Sequence, residues 1–257
     1  AESRSFPSLK VKVGHQELRD DLLAMQRGYN GRHGGKIRAD VNRAWNESQA
    51  IEFTTALQGL DVNAMEKVEF LEEPLQKVTV ESGSWSLEDQ VQALERSYFH
   101  TSIRYALDET LADLAKMHDW SYDTIKVSLE QVFGSGNRGC AAFVLKPAVL
   151  GIELSFRIAR FARKDLGIGV VVSSCFESGL ALAHIAFLGH LVDAISSRTS
   201  TYPHGIGTFA MLSKDILSPG FETFVNSEGV LNVPSLSRAL FGLGLDEIQD
   251  SLSDISQ

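Results

Sequence analysis

The chain has 257 residues, 44% hydrophobic and 22% charged, which supports a large core and excludes a disordered chain. Its 24 basic and 33 acidic residues give a formal charge of -9, the wrong sign for a general nucleic-acid binder. Two cysteines, Cys140 and Cys175, form no CxxC pair, which argues against a disulfide framework and for a reducing compartment; no apolar run reaches the length of a membrane span. The opening AESRSFPSLK is not a signal peptide and lacks an initiator Met, as expected of a processed chain or a fragment.

LKVKV reads as a first strand. Gln16 to about Arg27 follows with helical spacing, and the glycine-rich GYNGRHGG leads into a second strand, KIRADV. A helix is expected over Glu47–Leu60, with Ile51, Phe53, Ala56 and Leu57 apolar, before a third strand, VEFLEEP. Ser86, with Asp89 three residues on, marks a helix start. That helix runs to about Tyr98 and precedes a fourth strand, RYALDE. Thr110 is the expected cap of a short helix through Lys116. Gly134–Gly139 spells GxGxxG, but it opens no helix after a first strand and reads as a loop insertion. AFVLKP is a fifth strand and GVVVSSC a sixth, with an amphipathic stretch from Ile152 to Leu166 between them. Ser178 to Leu191 reads as a buried helix, VLNVPS as a short extended segment and GLGLDEIQDSLSDISQ as a surface tail.

Strands alternating with helices imply a parallel sheet, best closed as a (β/α) barrel. Residues 1–210 are expected to form that barrel, with 211–257 as an extension packed on it or a surface tail. The markers Lys12, Asp40, Glu72, Asp108, Lys146 and Ser173 recur at intervals of roughly 27 to 38 residues, near the unit length of such a barrel. Each closes a strand, and barrel strand ends meet at the catalytic face.

Alternation of side chains puts Lys10 and Lys12 on one face of their strand, with Val11 and Val13 opposite. Mutual repulsion and partial burial would lower the lysine pKa values toward a useful base. Arg38, Asp40 and Asn42 share a face, as do Phe70 and Glu72, while Glu73 points away. Asp40, Glu72 and Asp108 make an all-oxygen set that suits Mg²⁺, with Mn²⁺ the alternative. Lys146 closes the fifth strand. Ser173, Ser174 and Glu177 end the sixth, where they either bind a carboxylate at a helix N-terminus or simply cap it. The set suits metal-assisted proton abstraction next to the carboxylate of a small anionic substrate. His184, His190 and His204 carry no metal-binding pattern, Trp45, Trp85 and Trp120 read as packing residues, and no paired His supports Cys175 as a nucleophile.

KVKVG, IRADVNRAWN, FLEEPL, ALDET, VLKPAVLG and SSCFESGLALAHIA resemble, in order and wording, the motifs of o-succinylbenzoate synthases, a family of the enolase superfamily. The resemblance covers about Leu9 to Gly207, and RADVNRAW and SSxxESGLAL are its discriminating pieces. It implies a C-terminal enolase-superfamily barrel that binds Mg²⁺ through Asp40, Glu72 and Asp108. Lys12 would abstract the α-proton and assist departure of the hydroxyl, the metal would hold the ene-diolate, Lys146 would place positive charge over the ring, and Lys10 would tune Lys12. Arg38, Asn42 and the Ser173-Ser174-Glu177 turn would position the substrate. The implied reaction dehydrates 2-succinyl-6-hydroxy-2,4-cyclohexadiene-1-carboxylate to o-succinylbenzoate in phylloquinone or menaquinone synthesis. The wording points to the synthase domain of plant multidomain proteins, which implies a chloroplast, fused or docked pathway domains, and no nucleic-acid or membrane partner. The family's capping domain and first barrel strand are not seen before Leu9, so the chain alone is expected to be weakly active. The competing readings are an N-acylamino acid racemase or dipeptide epimerase, and a catalytically weak barrel serving as an assembly module.

Overall fold

The computed structural model describes residues 6–30, 35–60, 66–79, 83, 85–136, 139–195, 201–211, 221–226, 230–232 and 236. The chain forms two compact units, Pro7–Phe143 and a second made of Ala1–Phe6 with Val144–Gln257. In the first, β1 (Ser8–Lys12), α1 (Leu18–Asn30), β2 (Lys36–Asp40), α2 (Glu47–Leu60), β3 (Val68–Glu72), α3 (Leu87–Thr101), β4 (Tyr105–Leu107), α4 (Glu109–Met117) and α5 (Tyr122–Phe133) lead into β5 (Cys140–Leu145). The strands pair in parallel in chain order from β1 to β5. Helical crossovers are what parallel neighbours require, so the alternation expected of an α/β barrel is observed.

Burial explains the wording of the strands. β4 and β5 are buried along their whole length and read as continuous apolar runs, whereas β1 is half-exposed and alternates. Register places Lys12 beside Asp40 and Asp40 beside Glu72, so these three residues lie in one row across the ends of β1, β2 and β3. One irregularity between Ile37 and Arg38 lets β3 spend an extra residue, Glu69, against β2. The rings of Trp45 and of Phe53 on α2 meet at a 36° tilt with centroids 4.6 Å apart in the core.

Local signals set the helix ends. The Ser86 hydroxyl accepts from Asp89 N at 3.1 Å, and Ser102 closes α3 in the left-handed region. Thr110 is not the cap of α4 as expected; that position belongs to Asp108. The sequence signals no element across Tyr122–Phe133, yet Ile125, Leu129 and Phe133 recur with helical period and bury one face of α5. Trp120 is an exposed residue with φ 61°, not a packing residue.

In the second unit, the end of β5 leads to α6 (Pro147–Leu150), α7 (Ile152–Phe161), β6 (Gly169–Val172) and α8 (Gly179–Ala194). Ser173 N donates to Leu145 O at 2.8 Å beyond the end of β6. Phe209, Phe221 and Leu236 pack with Leu182, Ala183, Ala186 and Phe187 of α8 in one apolar cluster. Val225 and Leu231 bridge in antiparallel fashion within the segment around VLNVPS, and the final GLGLDEIQDSLSDISQ lies outside the described residues. Among the described residues no helix is long and apolar enough to cross a membrane.

The GxGxxG run carries a packing role at its last glycine. A Cβ on Gly139 would stand 2.7 Å from Tyr98 Cγ and 2.9 Å from Tyr105 Cε1. Both rings are anchored, since the Tyr105 hydroxyl donates to Glu95 at 2.7 Å and Tyr98 sits within α3. Gly139→Ala is expected to destabilise the chain by about 1–3 kcal/mol, the usual range for overpacking, read as a lower urea midpoint. An unchanged midpoint would refute that packing.

Candidate active site

The site is built from the C-terminal ends of β1, β2 and β3 in the first unit. Lys10 and Lys12 share a face of β1, as alternation predicts, and both reach acids of the neighbouring strands. Lys10 Nζ donates to Glu72 Oε1 at 2.7 Å and Asp40 Oδ2 at 3.1 Å. Lys12 Nζ stands 2.7 Å from Asp40 Oδ2 and also donates to Asn42 Oδ1. Asp40 and Glu72 are only 1% exposed, while the Lys12 side chain is 61% exposed.

This geometry corrects the expected electrostatics of the lysine pair. Burial does pull the Lys10 pKa down, but the Glu72 and Asp40 carboxylates outweigh it and hold Lys10 above its ordinary value. Burial likewise pushes Asp40 up, and the Lys10 and Lys12 cations hold it below the usual carboxylate range. Lys10 is thus a counter-ion set between two acids, and the amine-amine repulsion expected from KxK is overridden.

Asp108 stands one strand further along, two residues beyond Ala106, the register partner of Glu72. It is 4% exposed and begins α4. Asn42 lies in the turn after β2, where it and Arg43 both have positive φ, at 47° and 60°. Two consecutive left-handed residues cost roughly 1–2 kcal/mol each. They are held by Arg43 N to Glu73 O at 2.7 Å and by the Asn42 amide, which donates to Glu109 Oε1 at 3.1 Å. Arg38 is not presented to open solvent. Its Nε donates to Glu69 Oε2 at 2.6 Å, and its guanidinium lies 5.1 Å from the centroid of Phe70.

Alternation says only that Glu73 leaves the face of Glu72. The residue is buried, with φ 42°, and its carboxylate lies at the start of α4. Oε1 accepts from the backbone N–H groups of Asp108 and Thr110 at 3.2 and 3.0 Å. Oε2 accepts from the Thr110 hydroxyl at 3.1 Å and Arg43 Nε at 3.0 Å. Burial pushes the Glu73 carboxyl up, against the opposing pull of Arg43 and Thr110. Arg43 Nη1 continues to Asp113 at 2.7 Å, which also pairs with Lys77 at 3.1 Å. The sequence signal was the acidic doublet itself, since two adjacent strand residues cannot both face one pocket.

The remaining predicted residues belong to the second unit. Lys146 precedes α6, with Pro147 at its first turn. Ser173 bridges to Gly205, and Ser174 donates from Oγ to Gly205 O at 3.0 Å with Thr208 Oγ1 at 2.7 Å. These serines do not cap α8, because Ser178 does, accepting from Ala181 N at 3.5 Å. Glu177 Oε2 accepts from Cys175 N at 2.6 Å within its own turn. His204 is a structural clamp, with Nδ1 taking Val172 N–H at 3.0 Å and Nε2 at 3.0 Å from Gly189 O.

Among the described residues no three His, Cys, Asp or Glu side chains gather closely enough to form a ready cation cage. The Lys10 ammonium bridges Asp40 and Glu72 instead. The donor chemistry still fits a hard divalent cation. The set is all oxygen, almost fully buried, and Asp40 Oδ1 is a buried carboxylate oxygen with no hydrogen-bond partner among the described residues. Lys10→Met should cost about 1–3 kcal/mol, because two buried carboxylates lose their shared donor. Urea unfolding checks this, and an unchanged midpoint would show that Lys10 does not hold them.

Residues 1–125 match the protein family described as Enolase C-terminal domain-like. The chain is 31% identical over 243 residues to Protein PHYLLO, chloroplastic, of Arabidopsis thaliana, covering 89% of this chain and 12% of that protein. It is 29% identical over 182 residues to an o-succinylbenzoate synthase of Vibrio cholerae, covering 70% of this chain and 46% of the relative. The chain therefore spans less than half the length of either relative. Its fold is similar to that of MenC from Desulfotalea psychrophila, with a TM-score of 0.59 and 20% identity over 84% of this chain and 50% of that one.

Proposed function

We propose that this chain, which belongs to the enolase C-terminal domain-like family, is the barrel part of a Mg²⁺-dependent carbon–oxygen lyase of the o-succinylbenzoate synthase type. The observation that carries the reading is the row of Lys12, Asp40 and Glu72 across three neighbouring strand ends, with Lys10 beneath it. Buried acids faced by two amines suit a reaction that removes a proton next to a carboxylate. The similarity to an o-succinylbenzoate synthase supports the narrower substrate, 2-succinyl-6-hydroxy-2,4-cyclohexadiene-1-carboxylate. On the strength of the chloroplastic relative, we also propose a plastid setting and neighbouring pathway domains.

Asp40, Glu72 and Asp108 would hold Mg²⁺, which supplies positive charge against the substrate carboxylate as it gains electron density. Lys12 takes the α-proton at Nζ and delivers it to the departing hydroxyl. Its exposure lets it exchange protons with solvent between turnovers. Asn42 orients Lys12 through the hydrogen bond from its Nζ. Lys10 holds Asp40 and Glu72 in place by donating to both. By resemblance to the synthases, Lys146 would supply positive charge over the ring. By the same resemblance Ser173 and Ser174 would position the substrate and Glu177 would fix their turn, while Arg38 is engaged with Glu69 and Phe70. These assignments rest on the sequence resemblance.

Titration calorimetry with Mg²⁺ should show binding by the 257-residue chain that Asp40→Asn and Glu72→Gln each abolish or weaken strongly. A chain that binds no Mg²⁺ would sink the lyase reading and leave the assembly module. Lys12→Ala should lower turnover of the cyclohexadiene substrate by about 10²–10⁴-fold, the usual contribution of a positioned base, with Mg²⁺ affinity little changed. α-Proton exchange of an N-succinyl amino acid without aromatic product would instead establish an epimerase.

A further inference from the structure

We infer that Glu73 is a positioning residue that caps α4 in place of Asp108, so that the Asp108 carboxylate serves a divalent cation instead of its own helix. This rests on the metal assignment proposed above. Aspartate at a helix N-cap ordinarily accepts from the N–H groups of the first turn. Asp108 holds the N-cap of the nine-residue α4, yet its side chain makes no capping hydrogen bond. Of the first-turn amides it would serve, Thr110 N is taken by a residue from another strand end, and Leu111 N donates to the Asp108 backbone carbonyl at 3.1 Å. Asp108 N and Thr110 N both donate to Glu73 Oε1.

Glu73 is held for that task from several directions. Its own N–H donates to Ala106 O at 3.0 Å, tying its turn to β4. Arg43 Nε and the Thr110 hydroxyl fill Oε2. Arg43 also reaches Thr110 Oγ1 at 3.1 Å and Asp113 at 2.7 Å, so one guanidinium grips both Glu73 and the helix that Glu73 caps. With two donors on each oxygen, the Glu73 carboxylate has no capacity left for a cation. This separates the roles within the doublet: Glu72 faces the row of strand ends, and Glu73 fixes the neighbouring ligand. A negative charge at the helix N-terminus is favourable in its own right, so the substituted cap is stable.

The experiment is Mg²⁺ calorimetry on the 257-residue chain with Glu73→Ala, Glu73→Gln, Asp108→Asn and the Glu73→Ala/Asp108→Asn double variant. Hydrogen exchange at the Asp108 and Thr110 amides is measured alongside. Glu73→Ala should weaken Mg²⁺ binding about 10–100-fold, the range for residues that orient a metal ligand, and speed exchange at both amides. The double variant should bind no more weakly than Asp108→Asn alone, because an absent ligand needs no positioning. Glu73→Gln keeps an acceptor oxygen for the two amides and should show a smaller loss, which serves as the readout if the alanine variant does not fold. A purely structural role would lower the melting temperature while leaving Mg²⁺ affinity intact, and would overturn the inference. So would full additivity in the double variant. If Asp108→Asn itself leaves Mg²⁺ binding unchanged, the metal assignment fails first and takes this inference with it.

Discussion

Like charges brought together at the ends of parallel strands repel, and the first unit is organised around that repulsion. Asp40 and Glu72 are register partners and almost wholly buried, so neither can shed its charge into solvent. An uncompensated buried carboxylate would neutralise itself by taking up a proton. Lys10 donates to both acids from the adjacent strand, and together with Lys12 it holds Asp40 below the usual carboxylate range. The parallel pairing that sets the register therefore also sets the electrostatics. A one-residue slip of β1 would turn both lysines to the opposite face and leave the acids uncompensated.

The same problem recurs at α4 and is solved with different residues. Glu73 brings a further buried negative charge, and its partners are an arginine, a hydroxyl and two backbone amides. Arginine suits this place because its planar fork serves Glu73, Thr110 and Asp113 together. The turn that presents Arg43 needs two left-handed residues, and Asn42 at the first is the residue type that tolerates this conformation best after glycine. The conformational cost is borne at the strand end, where the side chains that meet there hold it in place.

Much of this was legible from the sequence because the signals are local. Period-two alternation gave the shared face of Lys10 and Lys12, capping chemistry gave Ser86, and apolar spacing gave α2 with its full bounds. Features that depend on pairing partners were not legible. The raised pKa of Lys10 follows from two carboxylates on other strands, which no spacing within KVKV reveals. Alternation separates Glu73 from Glu72, but the destination of its carboxylate was not legible, because its positive φ and its partners on α4 and in the turn after β2 lie outside the strand pattern. Ser173 and Ser174 were read against the next helix, but that helix starts at Ser178, and the serines bond instead to Gly205, some thirty residues on. α5 carries a clear buried face and no capping signal strong enough to announce it, since Ser121 makes no side-chain cap.

Depth along β1 separates the two lysines that composition makes identical. Lys10 lies one step below the carboxylate row and extends upward to meet two acids at once, so its proton is doubly held. Lys12 lies in the row itself, more exposed, with one acid and one neutral amide oxygen as partners. A group that must exchange a proton needs a path to water, which the exposed second lysine has. The first lysine donates to two buried acids at once and holds them in register. Alternation fixes the common face, and the two-residue offset along the strand, about 6.6–6.8 Å, assigns the separate work.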